Sequence, residues 1–171
     1  LVQFSNTLVG HLRGGLAHAN IVASIFFSGM TGAAVSDTAA IGTMLIPAME
    51  EDGYDKDFSA AVTAASSIIG PTIPPSNMMV IYGSLMCVSI AGLFAAGFVP
   101  GLLIAVFLMI LSGFIAKKRG YPKSARSSLK QMLIATKDAI LPLLMPIIIL
   151  GGILTGIFTP NEAAAVEVRY D

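Results

Sequence analysis

The sequence predicts an all-α, polytopic membrane protein carrying a re-entrant helical hairpin and a discontinuous membrane-spanning helix. Three observations predict it. Only 12% of the 171 residues are charged while 55% are apolar, and the mean hydropathy is +0.81; a soluble domain carries about twice that charged fraction. Residues 58–116 and 139–161 hold no charge at all, against roughly 20 apolar residues needed per crossing. Helix-breaking residues also interrupt two apolar segments near their middles, around residues 28–38 and 70–77. The ten basic and ten acidic residues balance, so no global field points to nucleic acid. Cys87 stands alone, which excludes an intrachain disulfide framework and multi-cysteine metal sites, and reads as a small buried apolar residue. No transition-metal ligand spacing, phosphate loop or nucleophile elbow is present.

The first element is residues 14–50. Between Arg13 and Glu50 lie 36 residues whose one acid is Asp37. One continuous helix of that length would reach about 54 Å, far beyond a hydrocarbon core of about 30 Å, whereas two crossings need roughly 40 residues before any turn. The middle reads Phe27-Ser28-Gly29-Met30-Thr31-Gly32-Ala33-Ala34-Val35-Ser36-Asp37-Thr38. A re-entrant hairpin tipped there satisfies the count, and irregular backbone at that depth must be buried in protein or line a cavity. A small-residue helix-packing face is the alternative. Asp37 either caps the second limb's helix or contacts an ion, since a carboxylate deep in a membrane marks a function by default.

The second element, residues 58–90, is a span broken by Gly70-Pro71-Thr72-Ile73-Pro74-Pro75-Ser76-Asn77, because each proline removes a donor and clashes with the preceding turn. The break lies about 20 Å along a helix from the end of the span, near the midplane. Freed carbonyls and helix C-termini suit a cation; half-helix N-termini suit an anion. Oxygen-donor chemistry favours sodium, with protons open through Asp37. A kink that serves packing alone is the alternative.

Residues 92–116 form an uninterrupted span. Beyond it Lys117, Lys118, Arg119, Lys123, Arg126 and Lys130 gather without an acid, which places residues 117–130 in the cytoplasm. Counting back puts residues 89–92 on the far side and the acidic residues 50–57 in the cytoplasm. Residues 120–138, with Leu129, Met132, Leu133 and Ile134 among bases, suit an amphipathic arm on the inner surface, or an ordinary solvated loop. Residues 139–159 span again, with Gly151, Gly152 and Gly156 placed for close helix contact. Thr159-Pro160-Asn161-Glu162 matches a capping box that opens a further helix over residues 160–171. His11 and His18 read as packed or solvated. A chain opening on Leu1 and ending just after a helix start reads as an internal piece of a longer membrane protein. An intramembrane aspartyl protease needs two aspartates to share a proton, and Asp37 is alone; the chain reads as no enzyme.

These stretches together resemble the large membrane subunit of tripartite ATP-independent periplasmic (TRAP) transporters, of the dicarboxylate type. The resemblance rests on residues 27–42, Ile46-Pro47-Ala48-Met49, Gly53-Tyr54, Ala64 through Ser76, Ile81-Tyr82-Gly83, residues 93–101 and residues 151–165. It implies one half of an inverted-repeat elevator transporter, driven by a sodium gradient and needing no other cofactor. It also implies a bacterial inner-membrane location, a small four-span membrane subunit and a periplasmic binding protein that delivers an organic anion such as a C4-dicarboxylate or sialic acid. By the same resemblance Ser28, Gly29, Thr31 and Gly32 at the tip, with Gly70, Thr72, Pro74 and Ser76 at the break, form a sodium site, and Thr31, Ser76 and Asn77 line the substrate cavity. Met30 stands where the family often has a serine, so no ligand role passes to it. The alternatives are a fragment that does not act alone, or a related sodium- or proton-coupled carrier that works without a binding protein.

Overall fold

The computed structural model describes residues 2–122 and 129–155. Within them the backbone is helical and connected by short turns: α1 (Val2–Val9), α2 (Gly15–Thr31), α3 (Ala34–Glu51), α4 (Lys56–Ser66), α5 (Ile69–Thr72), α6 (Asn77–Met86), α7 (Ile90–Arg119) and α8 (Leu129–Leu154). The capping box at Thr159 and the helix expected from residue 160 lie outside the described residues, as do Gly156, Lys123 and Arg126.

Helices α2 and α3 are separated by Gly32 and Ala33 alone, and they fold back on each other. Ala23 of α2 packs with Ile41 and Leu45 of α3, and the Asn20 amide nitrogen reaches Met49 Sδ at 4.0 Å, so positions rise along one limb as they fall along the other. At 17 residues α2 is about 25 Å long. The expected second break is also present: α4 stops at Ser66, α5 is a single turn, a cis peptide joins Pro74 to Pro75, and α6 starts at Asn77. The prolines remove the donors that would carry α5 onward, and Ser76 restarts the helix by accepting a bond from the Met79 N–H at 3.3 Å.

Helix α7 runs for 30 residues, with Ser89 capping its start and Gly120 ending it in left-handed backbone. Among the described residues it is the helix both long and apolar enough to cross a membrane. Phe107 and Phe114 are 67% and 69% exposed on its outer face, as suits lipid contact. Phe94 near the start of α7 packs with Ile149 and Ile153 near the end of α8. Helix α8 also crosses residue 138, where the arm was expected to give way to the span, because no glycine or proline occurs there before Pro142. Two smaller expectations fail. Cys87 is exposed, in the left-handed position that ends α6. Gly151 meets no neighbouring helix among the described residues.

The segments expected to share one side gather at one end. The Gly14 N–H donates to the Pro122 carbonyl at 3.3 Å, and Tyr54, Phe58 and Tyr121 pack ring against ring. There Arg119 pairs with Asp55, and the Tyr121 hydroxyl donates to the same carboxylate oxygen at 2.6 Å. Burial pushes the Tyr54 phenol up to about 12, so it stays neutral at working pH. The Tyr121 hydroxyl, and then Arg119, hold the Asp55 carboxyl below its ordinary value. A depressed carboxylate contributes stability above its unfolded pKa and loses it as pH falls through the folded one. Asp55→Asn in the full-length protein is therefore expected to lower the melting temperature at pH 7 and to flatten its decline on acidification. A series of melts across pH checks this, and an unchanged acid limb contradicts it.

Candidate functional site

The two breaks touch. Gly32 holds φ +56°, and a methyl group added to it would stand 2.8 Å from the Pro75 carbonyl oxygen, 2.9 Å from the Asn77 nitrogen and 3.0 Å from Ser76 Cα. Glycine at this position therefore answers both a left-handed backbone and a backbone-to-backbone approach. From the other side, a methyl group at Gly70 would stand 3.5 Å from the Ala33 carbonyl carbon. Helix α7 supports the break from behind: Gly97 leaves room for the Thr72 carbonyl and Met79, and Gly101, one turn on, for Ile73. A β-carbon at Gly97 would come 2.7 Å from the Thr72 oxygen.

Four helix ends thus converge. The C-termini of α2 and α5 bring carbonyl oxygens, and the N-termini of α3 and α6 bring N–H groups. Carbonyls with the negative dipole end favour a cation, and N–H groups with the positive end favour an anion. The predicted residues divide accordingly. Ser28, Gly29 and Thr31 lie in the last turn of the α2 backbone, with Gly32 just beyond; Gly70 and Thr72 lie in α5; Pro74, Ser76 and Asn77 lie in and after the cis-proline turn. The Thr72 hydroxyl donates to the Ile68 carbonyl at 2.8 Å, which leaves its lone pairs as acceptors. The Ser76 hydroxyl donates to the Pro71 carbonyl at 2.8 Å and accepts from Met79, so one acceptor site remains.

Asp37 is not a helix cap. The cap position of α3 belongs to Ala33, which supplies no side-chain bond, and Asp37 lies in the first turn, four residues later. Its carboxylate is fully buried, and neither oxygen has a hydrogen-bond partner among the described residues; Ser24 and Ser67 are its polar neighbours. A buried carboxylate is costly unless a cation faces it or a proton neutralises it. Among the described residues no three of His, Cys, Asp and Glu gather as a metal site; the polar groups at and beside the breaks are hydroxyls, backbone carbonyls and the Asp37 carboxylate, the oxygen chemistry that hard cations prefer.

A second polar group lies beside it and was not singled out from the sequence. Asn20, Ser24, Thr63, Ser66 and Ser67 are all buried. The Asn20 amide donates to the Thr63 hydroxyl at 2.7 Å, and the Ser66 hydroxyl donates to the Asn20 side-chain oxygen at 3.2 Å. The Ser24 hydroxyl donates to that of Ser66 at 3.0 Å. The signal was available: Ser59, Thr63 and Ser66 recur at helical spacing along α4, with Ser67 at its end, and Asn20 and Ser24 stand one turn apart on α2. His18 is buried, with Nδ1 2.9 Å from the Gly14 carbonyl oxygen, and His11 is exposed; neither reaches the breaks.

The family described as "Tripartite ATP-independent periplasmic transporter, DctM component" matches residues 1–171. The chain is 48% identical over 170 residues to a sialic acid TRAP transporter large permease protein of Vibrio cholerae, covering 99% of this chain and 40% of that protein. It is 46% identical to a sialic acid TRAP transporter permease protein of Haemophilus influenzae, covering 99% and 28%. It is 41% identical to a C4-dicarboxylate TRAP transporter large permease protein of Pseudomonas aeruginosa, covering 99% and 40%. The chain therefore spans less than half the length of these curated relatives.

Proposed function

The chain belongs to the DctM-component family of tripartite ATP-independent periplasmic transporters, and from that premise we propose that it forms half of a large permease subunit for sodium-coupled uptake of an organic anion. The observation that carries this reading is the contact of Gly32 with Pro75, Ser76 and Asn77, which makes one site of two breaks. In this reading α2 and α3 form a re-entrant hairpin that enters from the cytoplasm, and α4 to α6 are a broken span whose first half enters from the same side. Both starting ends lie beside the Lys117–Arg119 end of α7, which the positive-inside bias assigns to the cytoplasm of a bacterial inner membrane.

Sodium sits among the oxygens of Ser28, Gly29, Thr31 and Gly32 from the tip, and of Gly70, Thr72, Pro74 and Ser76 from the break, with Asp37 supplying the charge. The anion meets Thr31, Ser76 and Asn77, where the N-termini of α3 and α6 offer N–H groups. Relatives named for sialic acid make sialic acid the first substrate to test, and C4-dicarboxylates the second. The remaining length of the protein supplies the second inverted repeat against which this half moves as an elevator. A small four-span membrane subunit and a periplasmic binding protein complete the transporter.

The experiment is uptake by the full-length protein, reconstituted with both partners in proteoliposomes, under an imposed sodium gradient. Ser28→Ala and Thr72→Ala are each expected to raise the sodium concentration for half-maximal uptake by about tenfold, the loss typical of a weakened ion ligand set. Unchanged sodium dependence in both variants counts against the assignment. Uptake driven equally by a proton gradient without sodium contradicts the choice of ion.

A further inference from the structure

We propose that Asn20 and Thr63 are positioning residues for the cation site, an inference that rests on the sodium-coupled reading above. Helices α2 and α4 run parallel, because Asn20 meets Thr63 and, one turn further along both helices, Ser24 meets Ser66. Ser24 stands four residues before Ser28, and Ser66 four residues before Gly70. Ser24 therefore lies about one turn, ~6 Å, short of the hairpin tip and Asn20 about two turns, ~12 Å, while Ser66 stands where α4 ends at the break.

Its hydrogen bonds permit one register. The Ser24 hydroxyl donates to Ser66, whose single proton lies between two acceptors, the Asn20 oxygen at 3.2 Å and the Thr63 carbonyl at 3.0 Å. The Asn20 nitrogen donates to the Thr63 hydroxyl, which passes its own proton to the Ser59 carbonyl at 2.8 Å. Within the cluster the Thr63 and Ser66 hydroxyls each give and receive a bond. The same Asn20 nitrogen lies against Met49 Sδ of α3, so one fully buried side chain touches both hairpin limbs and the first half of the broken helix. Sliding α4 along α2 by one residue would leave several buried polar groups unpaired, whereas the apolar contacts nearby are small and non-directional. The tip oxygens and the break oxygens are thus held at a common height by groups that do not touch the ion. Coordination tolerates displacements of only about 0.5 Å, so loosening this register weakens the site even when the helices remain folded.

The test compares Thr63→Val, which keeps the shape and removes the hydroxyl, with Thr63→Ser, which keeps the hydroxyl, and with Asn20→Ala. Full-length protein in detergent is melted across a sodium chloride series with choline chloride holding ionic strength constant. The half-stabilising sodium concentration is expected to rise about tenfold in Thr63→Val and Asn20→Ala, as for second-shell losses at metal sites, and to stay near wild type in Thr63→Ser. Melting in choline alone changes little in Thr63→Ser and falls in Thr63→Val, which takes the hydroxyl acceptor from the buried Asn20 amide, so the sodium titration of each variant is read against its own choline baseline. A wild-type sodium titration in Thr63→Val overturns the inference, and so does an equal shift in Thr63→Ser. Failure to recover folded Thr63→Val overturns it too, by making the cluster an element of stability alone. A wild-type protein that melts identically in sodium and choline overturns the sodium reading itself and the inference with it.

Discussion

Gly32→Ala in the full-length protein is expected to reduce sodium-driven uptake by at least tenfold, while Gly70→Ala is tolerated. At Gly32 the added methyl group meets two penalties. The left-handed backbone costs an L-residue about 1–2 kcal/mol. The methyl group would also press on the Pro75 carbonyl, the Asn77 nitrogen and Ser76 Cα at 2.8, 2.9 and 3.0 Å, all of them backbone atoms that no rotamer change can move aside. Overpacking of that kind costs about 1–3 kcal/mol more. The strain is relieved by parting the two breaks, which separates the tip oxygens from those of Thr72 and Pro74. At Gly70 the nearest atom would lie at 3.5 Å, an ordinary contact, in helical backbone. Uptake rates of the two variants at equal amounts of folded protein check the contrast. Equal activities would mean that the touching breaks are not the working site.

Asp37→Asn is expected to act on stability and function in opposite directions. Without sodium the variant melts above wild type, because a fully buried carboxylate with no hydrogen-bond partner among the described residues is replaced by a neutral amide of the same shape. Burying an unpaired charge costs several kcal/mol, of which about 1–2 kcal/mol is expected to return, since the amide still has to be desolvated. With sodium at about a hundred times its dissociation constant, wild type gains about 2.7 kcal/mol and the variant gains little. The two melting curves therefore exchange order as sodium is added. Melting of both proteins in sodium and in choline reads this directly, and a variant less stable than wild type in both salts contradicts it. Stability gained where function is lost is the pattern expected of a functional residue.

The sequence carried the architecture where its chemistry is local. Three prolines and a glycine between Gly70 and Pro75 cannot continue a helix, and the structure interrupts α4 to α6 there. Thirty-six residues with small residues at their centre fold back at Gly32 and Ala33. What could not be read was tertiary. That Gly32 lies against Pro75 to Asn77 depends on α2 and α4 running parallel side by side, which no local pattern encodes. Asp37 was open between cap and ion contact because Ser36-Asp37-Thr38 is good cap chemistry; the helix instead begins at Ala34, and the carboxylate turns inward. Asn20 carries no sequence motif of its own; its meaning lies in tertiary partners, which a buried amide must find and which are spaced along α4. Cys87 was read from its type, whereas the left-handed end of α6 set its exposure.

In the proposed transporter, hairpin tip and helix break build one sodium site between them. Equilibrium binding of radioactive sodium to the purified full-length protein tests it most directly, with wild type, Gly32→Ala and Asp37→Asn measured side by side at constant ionic strength. Saturable binding to wild type is expected, with at least one site fewer, or an affinity lower by about tenfold, in each variant. Wild-type sodium binding in both variants, each shown to be folded, would contradict it.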